Sequence, residues 1–254
     1  MEGIKHISEY ISNNEVPEIL FWVGCAGAYD ARAQKVSKAF AQVMNLAGVR
    51  FAILGDDEKC TGDPARRAGN EFLFQILALQ NIETFKQFNI TQVVTTCPHC
   101  FNTLKNDYPE LGLRLDVLHH TTYINQLIKA GRLQVKEQKR DEVTFHDSCY
   151  LGRANGIYED PREVLNHFQI SIKEMNRAKA TGLCCGAGGG QMFKEDEPGT
   201  KRINNERIEE AMSTGVKKII TNCPFCLTMM TDGVKAKDKQ AEVMVYDLSE
   251  MIIQ

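Results

Sequence analysis

The sequence predicts an α/β protein with mainly parallel sheets, built from two copies of one domain. The first observation is that short apolar runs alternate with longer amphipathic stretches along the 254 residues, which is typical of strand–helix units with parallel strands. The second is that cysteines recur in the same order in the two halves of the chain. Their spacing is far too long for a solenoid, so it indicates duplication of a whole domain.

The elements of the first half can be predicted in order. The run ILFWV at 19–23 fits a buried strand, and Gly24 ends it. A helix is predicted at 30–47, because its apolar side chains share one face and Gly48 follows. The remaining predictions are a strand at 51–54, a helix at 64–88, a strand at 93–94, and helices at 101–107 and 123–130.

The repeat is clearest in four cysteine pairs. Pairs separated by 124 or 126 positions are Cys25 and Cys149, Cys60 and Cys184, Cys97 and Cys223, and Cys100 and Cys226. VVTTCPHC matches IITNCPFC, and VLHHTTYINQLI from Val117 matches VMVYDLSEMIIQ from Val243. The second half begins with a strand at 143–145, after the polar linker QVKEQKRD at 134–141. Two domains are therefore predicted, at residues 1–133 and 142–254.

Composition excludes several classes of function. A net charge of −3 argues against nucleic-acid binding, which usually requires basic patches. No run of about 18 apolar residues is present to span a membrane, and the first residues lack the pattern of a signal peptide. A cytoplasmic protein is expected. In that reducing compartment, nine cysteines are not expected to form a disulfide framework.

Each CPxC motif follows an apolar strand and precedes a predicted helix. Pro98 and Pro224 suit the first helical turn, where a missing N–H costs nothing. The cysteines then lie at a helix N-terminus, where backbone N–H groups and the helix dipole favour the thiolate. A dithiol redox protein is an alternative, but it leaves the other five cysteines unexplained. Two copies with further cysteines at repeated distances favour metal ligation, and His99 between two ligands is expected to be exposed.

The second half carries five cysteines: Cys149, Cys184, Cys185, Cys223 and Cys226. Structural zinc needs four ligands, whereas thiolate-held iron–sulfur clusters are more varied. In the segment that follows, Gly186, Gly188 and Gly189 would let backbone N–H groups approach sulfide and thiolate. An iron–sulfur cluster is predicted here. Cys184 and Cys185 are candidate catalytic residues, since an extra thiolate would leave an iron open to a disulfide or another two-electron acceptor.

The first half carries four cysteines: Cys25, Cys60, Cys97 and Cys100. Thr61 stands where the repeat places Cys185 in the second half. Four thiolates suit either a [4Fe–4S] cluster or a structural zinc ion. A zinc-stabilised scaffold protein is therefore the rival from another class of function, and it predicts colourless protein that unfolds on chelation.

Candidate residues also lie beside the cysteines. His146, a third candidate catalytic residue, could donate a hydrogen bond to a cluster thiolate or act as a proton donor. The alternative is that His146 and Asp147 only form a turn. Arg66, Arg67 and Arg153 could offset the negative charge of thiolate-ligated clusters, with a helix-surface location as the alternative. The same two interpretations apply to Arg202 and Arg207, on the helix predicted after the glycine-rich segment.

These motifs resemble the cysteine-rich CCG domain of the heterodisulfide reductases. They are also similar to the iron–sulfur subunits of glycolate oxidase, anaerobic glycerol-3-phosphate dehydrogenase and the lactate-utilisation oxidases. In the second half the resemblance rests on HDSCYLGR at 146–153, LCCGAGGG at 183–190 and TNCPFC at 221–226. In the first it rests on GCAGAYDAR at 24–32 and KCTGDPARRAGNE at 59–71, where Thr61 departs from the five-cysteine pattern.

The resemblance implies two Rossmann-like domains, each with a cluster near the domain interface. It implies a non-cubane [4Fe–4S] cluster on the five cysteines of the second half. It also implies an iron–sulfur oxidoreductase that works beside a ferredoxin-like iron–sulfur subunit and often a flavin-containing dehydrogenase. Such partners make peripheral membrane attachment an alternative to a free cytoplasmic location.

Overall fold

The computed structural model describes residues 4–134, 141–195 and 198–253, and its strands form two sheets. The strands are β1 (Lys5–His6), β2 (Ile19–Trp22), β3 (Phe51–Ile53), β4 (Gln92–Thr95), β5 (Asp116–His119), β6 (Glu142–Phe145), β7 (Ser171–Ile172), β8 (Lys218–Thr221) and β9 (Met244–Asp247). The α-helices are α1 (Ile7–Ser12), α2 (Gly24–Tyr29), α3 (Ala31–Leu46), α4 (Asp63–Arg67), α5 (Glu71–Gln87), α6 (Pro98–Asn102), α7 (His120–Lys129), α8 (Glu159–His167), α9 (Ile203–Ser213), α10 (Pro224–Lys235) and α11 (Leu248–Ile253).

Both sheets are parallel throughout the described residues. The first has the strand order β1-β3-β2-β4-β5 and the second β7-β6-β8-β9. Leu20 pairs with Val93 in the first sheet, and Thr144 pairs with Ile219 in the second, at the positions that the repeat makes equivalent. The predicted α/β class with two duplicated, mainly parallel domains of Rossmann-like type is confirmed.

The register corrects one detail of the repeat. Val93 pairs with Val117, whereas its equivalent Ile219 pairs with Val245 rather than with Val243. The predicted match of Val117 to Val243 is therefore wrong by two residues, because the second half has two more residues between the CPxC motif and its last strand. Asp247, not Val245, is consequently the counterpart of His119.

The predicted helix at 64–88 is divided into α4 and α5. Gly69 has a left-handed φ of +86°, which ends α4. The side chain of Asn70 then caps α5 by accepting a hydrogen bond from the backbone N–H of Leu73 at 3.0 Å. The helix predicted at 101–107 likewise begins earlier, at Pro98, and continues as a π-helix at Thr103–Asp107.

The core joins the two halves of the chain. One apolar cluster contains the buried side chains of Phe21 and Phe40 from the first half and Phe145 and Leu248 from the second. Residues 135–140 of the predicted linker lie outside the described residues, so the domain boundaries at 133 and 142 stay a prediction. None of the helices in the described part of the chain has the length and apolar character that a membrane span requires.

Candidate metal centre

The cysteines gather where parallel strands end. Cys25 lies on α2 directly after β2, and the CPHC motif begins α6 shortly after β4. The second half repeats this arrangement, with Cys149 after β6 and the CPFC motif at the start of α10 after β8. Because β2 and β4 are neighbours, as are β6 and β8, each sheet brings these cysteines to one edge. The carboxyl edge of a parallel sheet is the usual place for a ligand site in α/β folds.

The CPxC motifs begin helices, as the sequence predicts. Cys97 and Cys223 are the residues that precede the first turns of α6 and α10. Their backbone N–H groups donate to the hydroxyls of Thr95 and Thr221 at 3.3 and 3.2 Å, which fixes the entry into each helix in the same way. Thiols at such positions face backbone N–H groups and the positive end of the helix dipole.

The first thiol set comprises Cys25, Cys60, Cys97 and Cys100. The thiols of Cys25 and Cys60 lie within hydrogen-bonding range of each other, as do those of Cys97 and Cys100. The backbone N–H of Gly62 donates to the Cys60 sulfur at 3.5 Å. The hydroxyl of Thr61, where the second half has a cysteine, lies 3.9 Å from the Cys100 sulfur. All four predicted ligands of the first half therefore line one site.

The second thiol set comprises Cys149, Cys184, Cys185, Cys223 and Cys226. Thiols lie within hydrogen-bonding range in the pairs Cys149 with Cys184, Cys184 with Cys185, Cys185 with Cys226, and Cys223 with Cys226. The N–H of Gly186 donates to the Cys184 sulfur at 3.3 Å. Gly186 is the equivalent of Gly62, and both have left-handed φ values, +92° and +86°. The duplication thus preserves an amide donor to sulfur.

The two thiol sets meet. The side chains of Cys97 and Cys223, one from each set, lie within hydrogen-bonding range. His99 packs across the same boundary, stacked on Tyr150 with a centroid separation of 4.0 Å. Its Nδ1 lies 2.8 Å from a carboxylate oxygen of Asp63. The expectation that His99 is exposed is wrong, since only 7% of the residue is accessible.

The protonation of the thiols shows what the sites require. Hydrogen bonding to neighbouring thiols and burial raise the pKa of Cys185, and burial raises that of Cys223. A hydrogen bond from Cys25 lowers the pKa of Cys60 to about 7. Thiolates this close repel one another, so each set can ionise fully only around a cation. Thiolate-binding metals supply that charge, and the donor sets fit iron–sulfur clusters or, at the four-thiol site, zinc.

His146 lies at the second thiol set. One of its ring nitrogens and the sulfurs of Cys185 and Cys226 lie within 4.8 Å of one another. Its Nδ1 accepts a hydrogen bond from Nε of Arg207 at 3.0 Å. Burial, followed by the charge of Arg207, lowers the pKa of His146 to about 3, so the imidazole is neutral.

The carboxylate of Asp147, which follows His146, is bound by an arginine and by a backbone N–H. It binds Arg162 through two hydrogen bonds of 2.8 and 3.0 Å and accepts the N–H of Lys179 at 2.7 Å. These contacts tie the segment before Cys149 to the segment before Cys184. Asp147 therefore stabilises the structure around the site and does more than form a local turn.

The predicted arginines differ in their surroundings. Arg66 and Arg67 both form ion pairs with Asp107, so their charge is already matched by carboxylates. Arg153 is exposed, and its charge contributes to lowering the pKa of His146. The roles of Arg153, Gly188 and Gly189 toward a cofactor stay predictions, and the last two begin the 3-10 helix Gly188–Phe193.

Two residues that support the site, Glu58 and Asn81, were missed by the sequence analysis. The buried carboxylate of Glu58 accepts the N–H groups of Val23 and Gly24 at 2.9 and 2.6 Å and so fixes the start of α2; burial raises its pKa to about 8. Asn81 bonds to the backbone of the residue before Cys60. Asn81 lies 126 positions before Arg207, one of the predicted arginines, so the repeat period is the signal that could have found it.

Comparison with known proteins identifies the class. The family model described as a cysteine-rich domain, CCG, matches residues 19–105 and 143–231, once in each half. The chain belongs to this cysteine-rich CCG-domain family, and the resemblance inferred from its motifs is confirmed.

Particular relatives are iron–sulfur and redox proteins by name. The chain is 48% identical over 252 residues to the probable iron-sulfur-binding oxidoreductase FadF of Bacillus subtilis, covering 99% of this chain and 36% of the relative. It is 42% identical over 241 residues to the EtfAB:quinone oxidoreductase of Syntrophomonas wolfei, covering 92% and 34%. With a subunit of the dihydromethanophenazine:CoB--CoM heterodisulfide reductase from Methanosarcina barkeri it shares 31% identity over 245 residues, covering 93% and 58%. The chain spans about a third of the length of the first two relatives.

Proposed function

We propose that this chain is the cysteine-rich part of an iron–sulfur oxidoreductase and transfers electrons between two metal centres. The observation that supports this function is the contact between the two thiol sets through Cys97 and Cys223. Both side chains are almost wholly buried, at 3% and 1% accessible. Two redox centres joined at this point would be close and shielded from water, as rapid electron transfer requires.

At the second site we infer a non-cubane [4Fe–4S] cluster on all five thiols of the second thiol set. The five thiols form a continuous series of contacts and exceed what structural zinc needs, which supports this choice. When bound, such a cluster supplies one-electron chemistry at iron and sulfur. The protein contributes thiolates at helix N-termini and the amide of Gly186, which donates to Cys184.

At the first site we infer a [4Fe–4S] cluster, with zinc as the alternative. The donor set of four thiols admits both metals. The hydroxyl of Thr61 replaces the fifth thiol near Cys100, which is why the two sites are expected to differ.

The relatives and the cysteine pair support a proposal for the reaction class. One relative is a heterodisulfide reductase subunit, and two others are named oxidoreductases. We infer that the second site reduces a disulfide or another two-electron acceptor, with Cys184 and Cys185 as the catalytic thiolates. A 2-hydroxy-acid oxidase role is the alternative subtype. Electrons would come from a ferredoxin-like iron–sulfur partner or a flavin-containing dehydrogenase, in the cytoplasm or at the membrane surface through such partners.

Metal and sulfide analysis of anaerobically purified protein tests the function. The proposal predicts brown protein with about four to eight irons per chain and matching acid-labile sulfide. Cys185→Ser should change or abolish the spectrum of the second site, whereas Cys25→Ser should change only the first. Turnover of a disulfide with a reduced viologen dye would support the catalytic role. Colourless protein that binds zinc without sulfide after reconstitution would establish the scaffold alternative.

A further inference from the structure

A buried arginine on α9 lies beside the second thiol set. Arg207 is 0% accessible, and its Nη1 donates to Glu210 at 2.9 Å and to the carbonyl of Arg177 at 2.8 Å. Its Nε donates to Nδ1 of His146 at 3.0 Å. A buried charge is costly unless it is paired. Glu210 already supplies the pairing carboxylate, so the bond to His146 is an additional use of the guanidinium.

The bond to Arg207 fixes which nitrogen of His146 carries the proton. All polar hydrogens of a guanidinium are donors, and the group has no acceptor. Nδ1 of His146 must therefore accept, which excludes both the Nδ1–H tautomer and the doubly protonated ring. The remaining proton resides on Nε2.

The sulfurs of the second thiol set are the acceptors available to the Nε2–H group. Within the residues that the structure describes, Nε2 of His146 is buried and has no hydrogen-bond partner. A ring nitrogen of the same side chain lies within 4.8 Å of the sulfurs of Cys185 and Cys226, and Arg207 occupies Nδ1. A buried N–H without a partner is costly, and a thiolate or sulfide is the acceptor that this site would offer it.

We propose that Arg207 is a positioning residue that fixes the tautomer of His146, so that Nε2–H donates a hydrogen bond to a sulfur of the second centre. The inference rests on the proposed function, because it takes that centre to be ligated by thiolates. It assigns His146 neither as a metal ligand nor as an acid that gives up its proton. A hydrogen bond to sulfur favours the more negative, reduced state of the centre.

The first half offers an independent parallel. Trp22 lies 124 positions before His146, at the end of the equivalent strand. Its indole Nε1–H is also buried and has no partner in the part of the chain that is described. Trp22 shares an apolar cluster with Cys97 and Cys100. Indole nitrogen can only donate, so both halves place an N–H donor at the same position of the repeat.

Redox titration of the reconstituted full chain tests the role of the donor. At a fixed solution potential, Arg207→Met and His146→Leu should each lower the ratio of reduced to oxidised protein at the second centre by about tenfold. This change is equivalent to lowering the midpoint potential by about 59 mV for one electron. His146→Gln, which keeps an N–H donor, should restore most of this loss. Arg162→Met is the control both for loss of a buried positive charge and for the instability that follows, because it breaks the ion pair with Asp147 and removes no hydrogen bond to His146. If Arg162→Met and Arg207→Met shifted the midpoint potential equally, loss of a positive charge would explain the effect, and the proposal would be overturned.

Spectroscopy of histidine-labelled protein separates donor from ligand. Pulsed electron paramagnetic resonance of the paramagnetic centre should show an exchangeable proton and a weak nitrogen coupling, both lost in His146→Leu. A strong nitrogen coupling would show direct ligation and overturn the proposal. Nuclear magnetic resonance of the zinc-loaded chain gives the tautomer even if no iron–sulfur cluster forms. Nε2–H in the wild type supports the inference, and Nδ1–H refutes it, whatever becomes of the proposed function.

Discussion

Replacement of Gly62 by alanine tests how tightly the first thiol site is built. Gly62 precedes α4, has a φ of +86°, and donates its N–H to the Cys60 sulfur at 3.5 Å. A Cβ at this position would lie 2.8 Å from Cδ2 of Phe74 and 3.2 Å from its Cα and carbonyl oxygen. The side chain can yield, but the helix backbone cannot, because Phe74 lies within α5.

Two costs combine in this variant. A left-handed conformation costs a non-glycine residue roughly 1–2 kcal/mol, and overpacking a rigid site costs about 1–3 kcal/mol. Gly62→Ala should therefore lower the free energy of unfolding by about 2–5 kcal/mol. Gly48→Ala should show only the conformational cost of roughly 1–2 kcal/mol, because its φ is +64° and nothing lies within 4 Å of the added Cβ. Gly186→Ala should lower the free energy of unfolding as much as Gly48→Ala does, since the added Cβ would lie 3.4 Å from its nearest neighbour, an ordinary van der Waals distance.

The assay is urea unfolding of the reduced, anaerobic 254-residue chains, with the variants measured side by side. The slope against denaturant must be unchanged for the free energies to be compared. If Gly62→Ala lowered the free energy of unfolding no more than Gly48→Ala does, the argument that α5 packs tightly against the Cys60 loop would be refuted. With metal bound, Gly62→Ala should also weaken the first site selectively, because the amide donor to Cys60 would move.

Three further predictions concern the supports of the two sites. Arg162→Met should destabilise the chain by about 3–5 kcal/mol in urea unfolding, because it leaves the buried carboxylate of Asp147 uncompensated. Asn81→Leu should lower the metal affinity of the first site by about 10- to 100-fold in competition with a chelator, because Asn81 holds the backbone at Cys60. Thr61→Cys should add a fifth thiol to the first site and change its absorption and electron paramagnetic resonance spectra.

Each of these has its own control. The double variant Arg162→Met with Asp147→Asn should recover part of the lost stability, and no recovery would contradict the charge argument. For Asn81→Leu, metal at the second site should be retained, so an equal loss at both sites would count against a local effect. Thr61→Val keeps the volume without the sulfur, and if it altered the spectra as much as Thr61→Cys, the added thiol would not be the cause.

The sequence predicts the local chemistry of the sites well. The CPxC cysteines begin helices because proline suits the first helical turn after a strand. Gly186 donates to sulfur because glycine readily adopts the left-handed φ that this loop requires. Contacts between distant segments could not be predicted. Arg207 reaches His146 across 61 positions, and His99 stacks on a tyrosine of the other half. Such pairings depend on how α9 and α6 pack, which neither periodicity nor spacing specifies. The two-residue error in aligning the last strands had the same origin, since loop lengths are set by tertiary packing.

The two halves share the same parallel-sheet fold but differ in the side chains around the metal sites. Where the second half has His146, Cys185 and Arg207, the first has a tryptophan, a threonine and Asn81. A buried imidazole and guanidinium stabilise a fold less than apolar groups of similar size, so the second half carries the costlier set. Those polar groups lie beside the thiol pair, whereas the four thiols of the first half are lined by Thr61 and by the paired Asp63 and His99. This asymmetry supports our proposal that an external acceptor reacts at the second site, with electron relay at the first.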